Sequence, residues 1–380
     1  IIVTMPEAFD SIRAFRDDEV HAALRSIAHD PMMQTVLQFT FPELPPEGRL
    51  QILDNIRATQ DFHAQVIRPA VLRILAESSA GLTHSGFDQL LPDTPYLYIS
   101  NHRDIVLDTA LLNFILLEQG LTMTASAIGD NLVKLPFLLT FAKINRNFLV
   151  RRNLPPRELL ESSQELSAYI RHLMLEGRRS VWIAQREGRA KDGNDATNPG
   201  VLKMIGMAAG AEGAMSYLKK LRIVPVSISY EYDPADAFKI PELLAEAHGE
   251  TYTKEPQEDF RHIMTGIQGQ KKRIHFHAGT PLDAELDEIA AISGLNHQIK
   301  ALAQVLDRAI VANYRLWPSN YISHDLLSQT GAFAKHYTPE EKVAFVQRME
   351  ERTAGMDAEA LRCFLSMYAR PVSNQTGMGH

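Results

Sequence analysis

The sequence predicts an α/β protein with a central, mostly parallel or mixed sheet flanked by helices, and with helical extensions at both ends. Between residues 92 and 281, short runs rich in β-branched and aromatic residues alternate with apolar runs at helical spacing. The chain before and after this part shows helical periodicity. Strands that alternate with helices are typical of a sheet covered on both faces. The predicted regions are a helical N-terminal region (1–85), an α/β core (86–281) and a helical C-terminal region (282–380).

Each element of the core has its own local signal. Residues 96–100 predict the first strand because they are few, aromatic and β-branched. An apolar helix over 108–118 follows and is ended by Gly120, and a second helix over 157–176 is ended by Gly177. Four further runs predict strands, namely 122–128, 180–185, 222–230 and 273–276.

Composition excludes several classes of protein. The chain has 380 residues, of which 45% are hydrophobic and 22% charged, so it is neither a disordered tail nor a collagen. The single cysteine, Cys363, excludes an internal disulfide and favours a reducing compartment. A net charge of −7 argues against general nucleic-acid binding. The apolar runs at 109–117 and 135–142 are shorter than the about 20 residues that a membrane span needs.

Positive charge is concentrated in one part of this acidic chain. Between Lys143 and Lys191 there are 11 basic and five acidic residues. Such a zone indicates a bound anion, with phosphate as the favoured chemistry. The alternative is a solvated helix face whose charges pair at four-residue spacing. Arg151 and Arg189 stand out because each ends or follows a strand-like run, and ligands bind at that end of an open α/β sheet.

The turn after the first predicted strand carries groups that are able to act as catalysts. His102 suits a general base because the ordinary pKa of histidine lies closest to neutrality. A nearby carboxylate fixes the tautomer of such a ring, and Asp108, at the start of the next helix, is the preferred partner. Asp104 is the competing partner. Alternatively, Asn101 or Asp104 caps the helix and His102 is only a hydrogen-bonded turn residue.

Four segments in order resemble the conserved blocks of the glycerophospholipid acyltransferases, which include glycerol-3-phosphate and 1-acylglycerol-3-phosphate acyltransferases. The resemblance covers about residues 95–235. The segments are Asn-His-Arg with the following Asp and apolar helix (101–112), Phe-Leu-Val-Arg-Arg (148–152), Glu-Gly-Arg-Ala-Lys-Asp-Gly (187–193) and Val-Pro-Val-Ser-Ile-Ser-Tyr-Glu (224–231). Two spacings depart from the family pattern. Five residues instead of four separate His102 from Asp108, and Gly188 adjoins Arg189 with no residue between them.

The resemblance implies a role for each block. His102 would be the general base, oriented by Asp108, and Arg151 with Arg189 would bind the acceptor phosphate. The remaining residues implied to contact substrate are Glu187, Gly188, Lys191 and Pro225.

The implied function is O-acyl transfer from acyl-carrier protein or acyl-coenzyme A to glycerol-3-phosphate or 1-acylglycerol-3-phosphate, in phospholipid synthesis. We expect no metal or cofactor beyond the thioester, no nucleic-acid partner, and a cytoplasmic enzyme peripheral to the inner face of the membrane. The lysine-bracketed apolar run 134–143 is either an interfacial element or a buried helix. Two alternatives are an inactive lipid-binding or scaffold protein on the same fold, and a metal-assisted hydrolase that uses His102, Asp104 and Asp108.

Overall fold

A computed structural model describes residues 9–255 and 257–377 of the chain. Its centre is one seven-stranded sheet with the order β1-β7-β6-β2-β5-β3-β4. The strands are β1 (Ser79–Ser85), β2 (Leu97–Ser100), β3 (Thr124–Gly129), β4 (Asn147–Val150), β5 (Ser180–Ala184), β6 (Ile223–Tyr230) and β7 (Lys272–Ala278). Strands β6, β2, β5, β3 and β4 are parallel, whereas β7 pairs antiparallel with β6 and parallel with β1. The predicted mixed α/β fold is confirmed.

Helices surround the sheet and form both ends of the described chain. They are α1 (Asp17–Ile27), α2 (Pro31–Thr40), α3 (Pro46–Asp54), α4 (Thr59–Phe62), α5 (Arg68–Ser78), α6 (Leu107–Glu118), α7 (Pro136–Ile144), α8 (Pro156–Arg171), α9 (Pro199–Gly206), α10 (Ala214–Lys220), α11 (Asp236–Ala247), α12 (Glu258–Gln268), α13 (Asp283–Ala290), α14 (Leu295–Asn313), α15 (Pro318–Ser328), α16 (Pro339–Arg352) and α17 (Ala358–Thr376). One π-helical turn joins α4 to α5 and another extends α8 to Glu176.

Side chains of the central strands alternate between two apolar cores. In β2, Leu97 and Ile99 face one core and Tyr98 faces the other, as the two-residue period of a strand requires. The first core is closed mainly by α8, α9, α10, α13 and α14, and the second by α5 and α6. Because both faces are covered, β2 and β6 are buried along their whole length.

The sequence analysis did not predict β1, and it indicated β4 only as a strand-like run that Arg151 ends. The helical structure expected of the chain before residue 92 does not extend to β1, which occupies 79–85 and forms an edge of the sheet. This strand is largely exposed and its composition is Ser-Ala-Gly-Leu-Thr-His-Ser, so it lacks the apolar alternation that identifies a strand. Pairing with β7 selects its conformation. The division into three regions stays a prediction.

Two smaller apolar cores hold the helical ends. The first joins α1–α4, the π-helical turn after α4 and α7, and the second joins α11 with α15–α17. In α7, Phe137 and Ile144 are buried in the first of these cores, while Leu135 just before the helix is 53% exposed. The run 134–143 is therefore mainly a packed helix and not a free interfacial one. Within the described residues, none of the helices combines the length and the apolar character needed to cross a bilayer.

Candidate active site

The turn between β2 and α6 is fixed by side chains within it. Asn101 accepts a hydrogen bond from the N–H of Ile228 (2.8 Å) and donates one to the carbonyl of the same residue (2.9 Å), which ties the end of β2 to β6. Asp104 Oδ1 accepts hydrogen bonds from the N–H groups of Val106 and Leu107 at the start of α6. Asp104 thus satisfies backbone groups at the start of α6, as the alternative interpretation of this turn expected, whereas Asn101 bonds a strand and caps no helix.

Asp108, and not Asp104, contacts the histidine. His102 Nδ1 and Asp108 Oδ2 are 2.8 Å apart. Asp108 is fully buried, and Oδ2 also accepts the N–H groups of Arg103 (2.6 Å) and Asp104 (3.1 Å). Its Oδ1 accepts the hydroxyl of Tyr230 at 3.1 Å. Burial and the nearby Asp108 raise the pKa of Tyr230 well above its usual value, so this hydroxyl stays a donor. A carboxylate with four donors is held in one orientation.

The histidine ring is partly exposed and is not part of the apolar cores. Its side chain is 14% exposed, and its ring packs edge-on against Trp182, with centroids 5.4 Å apart and an interplanar angle of 69°. The Trp182 indole donates in turn to Ser100 Oγ at 2.9 Å. Because Asp108 occupies Nδ1, the proton of the neutral ring lies on Nδ1 and the Nε2 lone pair is the one left for a substrate.

The turn after β5 lies directly against the histidine turn. The N–H of Ala190 donates to the carbonyl of His102 at 3.1 Å. Gly188 has a φ of +71°, a left-handed conformation that glycine adopts without strain. Glu187 points outward and pairs with Arg152 at 2.5 Å. This contact brings the first and third blocks of the sequence together, as parallel strands that end at the same sheet edge allow.

Arg189 is a buried cation with unused hydrogen-bonding capacity. The residue is 7% exposed, and its Nη2 donates to His262 Nδ1 on α12 at 2.7 Å. Its buried Nη1 has no hydrogen-bond partner among the described residues. Burial, and next the charge of Arg189, lower the pKa of His262 to about 4, so the ring is neutral near pH 7. A guanidinium with a free buried nitrogen is suited to hold an anion.

Other cations near this turn are paired with carboxylates. Lys191 bonds Glu242 of α11. Arg103 bonds the buried Asp195, and its guanidinium lies 5.3 Å from the centre of the Tyr314 ring. These pairs stabilise the surroundings of the turn, and they leave less free positive charge for a ligand than Arg189 does.

Arg151 does not join this group. Its guanidinium donates to Ser11 Oγ at 2.9 Å and lies 3.4 Å from Glu165 of α8. Strand β4 is three positions from β2 in the sheet, which corresponds to about 14 Å. Of the two adjacent arginines, Arg152 is the one that reaches the 187–191 turn. Much of the basic zone between 143 and 191 is paired with acidic residues, through Arg151–Glu165, Arg152–Glu187, Arg157–Glu161, Arg171–Glu212, Arg179–Asp17 and Lys191–Glu242.

Pro225 lies in the body of the sheet. It is the register partner of Ile99 in β2 and packs against Gly279, whose N–H donates to the Pro225 carbonyl at 2.8 Å. It is level with the middle of β2, below the turn that carries His102. Pro225 therefore does not contact His102 directly, and its role in lining a substrate pocket stays a prediction.

The sequence analysis did not identify several residues that belong to the site. Tyr230 and Trp182 lie in predicted strands, but their contacts with Asp108 and His102, respectively, follow only from the tertiary structure. Asp195 and His262 lie in a loop and a helix that carry no motif. In α12, the one available signal was the four-residue spacing of Glu258, His262 and Gly266, which places them on one face of a helix. This face is the buried one.

Comparison with known proteins decides the class of chemistry. Residues 81–229 match the family model described as Acyltransferase. The chain carries the core of an acyltransferase. The matched part of this acyltransferase runs from β1 into β6 and contains the first three blocks and residues 224–229 of the fourth, so the resemblance seen in the sequence is confirmed. Helix α12, with His262, lies beyond the matched residues.

Two further comparisons were made. Among solved structures, the acyltransferase is similar to the 1-acyl-sn-glycerophosphate acyltransferase PlsC from Thermotoga maritima, with 11% identity and a TM-score of 0.40, over 77% of this chain and 93% of that one. Comparison with curated protein sequences gives no match.

No metal-binding set emerges from the described part of the chain. Residues 9–255 and 257–377 contain no group of three or more His, Cys, Asp or Glu side chains placed to hold a metal ion. Around His102, the Oδ1 atom of Asp104 bonds backbone N–H groups and Asp108 accepts four donors. This arrangement gives no support to a hydrolase that uses these three residues as metal ligands.

Proposed function

We propose that this acyltransferase moves a fatty acyl group from acyl-carrier protein or acyl-coenzyme A to the hydroxyl of glycerol-3-phosphate or 1-acylglycerol-3-phosphate, as a step of phospholipid synthesis. The observation that carries the proposal is the 2.8 Å contact between His102 and a fully buried Asp108, next to the buried Arg189. The proposal needs no cofactor beyond the thioester co-substrate.

In the proposed reaction, His102 moves the proton. Nε2 accepts the proton of the acceptor hydroxyl as its oxygen attacks the thioester carbonyl, and Asp108 stabilises the imidazolium that forms. The carbon–sulfur bond then breaks, and the imidazolium returns the proton to the leaving thiolate. The products are an ester and a free thiol, so no covalent intermediate on the protein is required.

Arg189 is the proposed phosphate ligand. Its free Nη1 supplies a charge-assisted donor, and the planar guanidinium suits phosphate oxygens. The proposed contacts of Glu187, Gly188 and Lys191 come from the same turn, in which Gly188 allows the backbone to approach a ligand closely. For Arg151, the proposal of a direct phosphate contact requires its pairs with Ser11 and Glu165 to open.

The proposed location is cytoplasmic, on the inner face of the membrane. Exposed apolar side chains follow three of the strands at the sheet edge where His102 lies, namely Leu135 after β3, Leu159 and Leu160 after β4, and Phe238 and Phe260 after β6. Apolar groups at the mouth of a site that receives lipid are suited to contact a bilayer surface.

The test is acyl transfer by the purified protein. Labelled acyl-coenzyme A and acyl-carrier protein are supplied with glycerol-3-phosphate, 1-acylglycerol-3-phosphate or an amino-acid lipid as acceptor. We expect ester formation on a phosphate-bearing acceptor that is lost in His102→Ala. The matched control is His172→Ala, because His172 Nδ1 also lies 2.8 Å from a carboxylate, that of Glu176, but belongs to the helix after α8.

The outcomes separate the proposal from its alternatives. Transfer to the amino-acid lipid alone would contradict the proposed acceptor. Lipid binding without transfer, unchanged in His102→Ala, would indicate the inactive lipid-binding or scaffold protein. Loss of transfer in a metal chelator would contradict the cofactor-free scheme.

A further inference from the structure

Helix α12 has a buried face unlike that of an ordinary core helix. The residues of this face are Glu258, His262 and Gly266, spaced four apart, while Phe260 on another face is exposed. An apolar core would bury leucine or isoleucine at such positions. Here a carboxylate, an imidazole and a glycine face the interior, so α12 packs against polar groups.

Those polar groups belong to the candidate active site. A Cβ atom at Gly266 would lie 2.1 Å from Asp104 Oδ2, so α12 meets the turn that carries His102 at close range. One turn earlier on the same face, His262 accepts the hydrogen bond from Arg189. Phe238 of α11 packs against the His262 ring, with centroids 5.1 Å apart. The imidazole thus contacts both an aromatic ring and the guanidinium.

The contact fixes both the tautomer of His262 and the orientation of Arg189. A guanidinium only donates, so Nδ1 of His262 carries no proton and the proton of the ring lies on Nε2, 4.0 Å from Glu258. Because Nη2 of Arg189 is bound in this way, the plane of the guanidinium is set and its Nη1 remains the free donor.

His262, the hydrogen-bond partner of Arg189, is electrically neutral, whereas the partners of nearby cations are carboxylates. Arg103, Arg152 and Lys191 each bond a carboxylate, which cancels most of their charge. A neutral imidazole orients the guanidinium without an ion pair. The carboxylates of Asp104 and Asp233 act on Arg189 only through their charge, so more of its charge stays available to an incoming anion than in those three cations.

We propose that His262 is a positioning residue for the acceptor: it holds Arg189 so that the free Nη1 faces the acceptor phosphate, and α12 thereby forms part of the phosphate site. This inference rests on the proposed function and adds to it a residue outside the matched family core.

The test compares five variants in the acyl-transfer assay with glycerol-3-phosphate and 1-acylglycerol-3-phosphate. His262→Leu removes the acceptor atom, and we expect the KM for the phosphate-bearing acceptor to rise by about tenfold to a hundredfold, as for loss of a hydrogen bond to a charged group. The KM for the thioester should stay within about twofold. His262→Asn keeps an oxygen near the position of Nδ1 and should recover most of the affinity. Gln268→Ala, at the exposed C-terminal end of α12, is the control and should leave both KM values unchanged.

The last two variants, Arg189→Ala alone and together with His262→Leu, separate positioning from a structural role. In Arg189→Ala the imidazole has nothing left to orient, so adding His262→Leu should raise the acceptor KM no further. Equal KM increases for donor and acceptor, additive effects in the double variant, or failure of His262→Asn to recover affinity would overturn the inference. If the wild-type protein acylates no phosphate-bearing acceptor, the proposed function itself fails, and the two failures are therefore distinguishable.

Discussion

In the turn after β2, the two aspartates have different partners and therefore different roles. Asp108 contacts the ring of His102, whereas Asp104 Oδ1 bonds backbone at the start of α6. Burial, and next the charge of Asp108, raise the pKa of Asp104, which agrees with a structural role for this side chain.

Replacing each aspartate by asparagine should therefore give unequal losses. We expect Asp108→Asn to lower kcat by roughly 10⁴-fold, as the corresponding change does in a serine-protease triad, because the amide would favour the wrong tautomer of His102. Asp104→Asn should keep activity within about tenfold, since an asparagine side chain also caps a helix. Steady-state kinetics of both variants check this expectation. A larger loss in Asp104→Asn would contradict the pairing of His102 with Asp108.

The two candidate phosphate arginines should also differ. Arg189 is buried and has a free Nη1. Arg151 is paired with Glu165, and it follows β4, which lies three positions from β2 in the sheet. Arg189→Ala should raise the acceptor KM by more than about tenfold, while Arg151→Ala should change it by less than about threefold. The assay is acceptor titration at saturating thioester. Equal effects would show that Arg151 leaves its pair to bind substrate.

At the scale of elements, the close packing of α12 against the turn between β2 and α6 shapes the candidate active site. At Gly266 there is no room for a methyl group, because Asp104 Oδ2 occupies the position. The glycine is thus required by the approach of the helix, although glycine lowers the stability of a helix interior.

Gly266→Ala should move α12 away from the turn. Forcing an extra methyl group into a packed site costs about 1–3 kcal/mol of the free energy of unfolding. Thermal or denaturant unfolding measures this loss, and acyl transfer should fall in the folded variant because His262 moves with the helix. The control is Gly48→Ala in α3, where the added atom meets its neighbours at 3.4 Å or more. An unchanged melting temperature and activity for Gly266→Ala would contradict the close approach.

The whole molecule contains histidines that folding keeps neutral. Burial lowers the pKa of His63 to about 3, with a further contribution from Arg146, and it lowers the pKa values of His262 and His275 to about 4. Below pH 6.5 the unfolded chain binds protons at these rings and the folded chain does not. Stability therefore falls as the pH decreases from 6.5 toward 4.

His63 gives the clearest test of this pH dependence. It is 5% exposed in the N-terminal helical core, and its Nε2 has no hydrogen-bond partner among the described residues. One pH unit corresponds to about 1.4 kcal/mol for each ring that stays neutral in the folded state. Denaturant unfolding at several pH values should show a smaller slope in His63→Leu than in the wild type, and an unchanged slope in His297→Leu, whose ring is exposed. Equal slopes in all three proteins would refute the assignment.

Local patterns in the sequence were sufficient for the strands of the core and for the histidine turn. β2, β3, β5, β6 and β7 were predicted because buried strands consist of β-branched and aromatic residues, whatever lies next to them. His102 and Asp108 are six residues apart on one strand-turn-helix unit, so their contact is encoded locally.

Contacts between distant residues could not be predicted from such patterns. Tyr230 is 122 residues from Asp108, and His262 is 73 residues from Arg189. The exposed edge strand β1 likewise depends on pairing with β7, 191 residues away in the case of the Thr83–Ile274 contact. The direction of a side chain and the charge opposite it are set by the register of the sheet and the packing of helices, which is why Arg189 keeps a free nitrogen and Arg151 is paired.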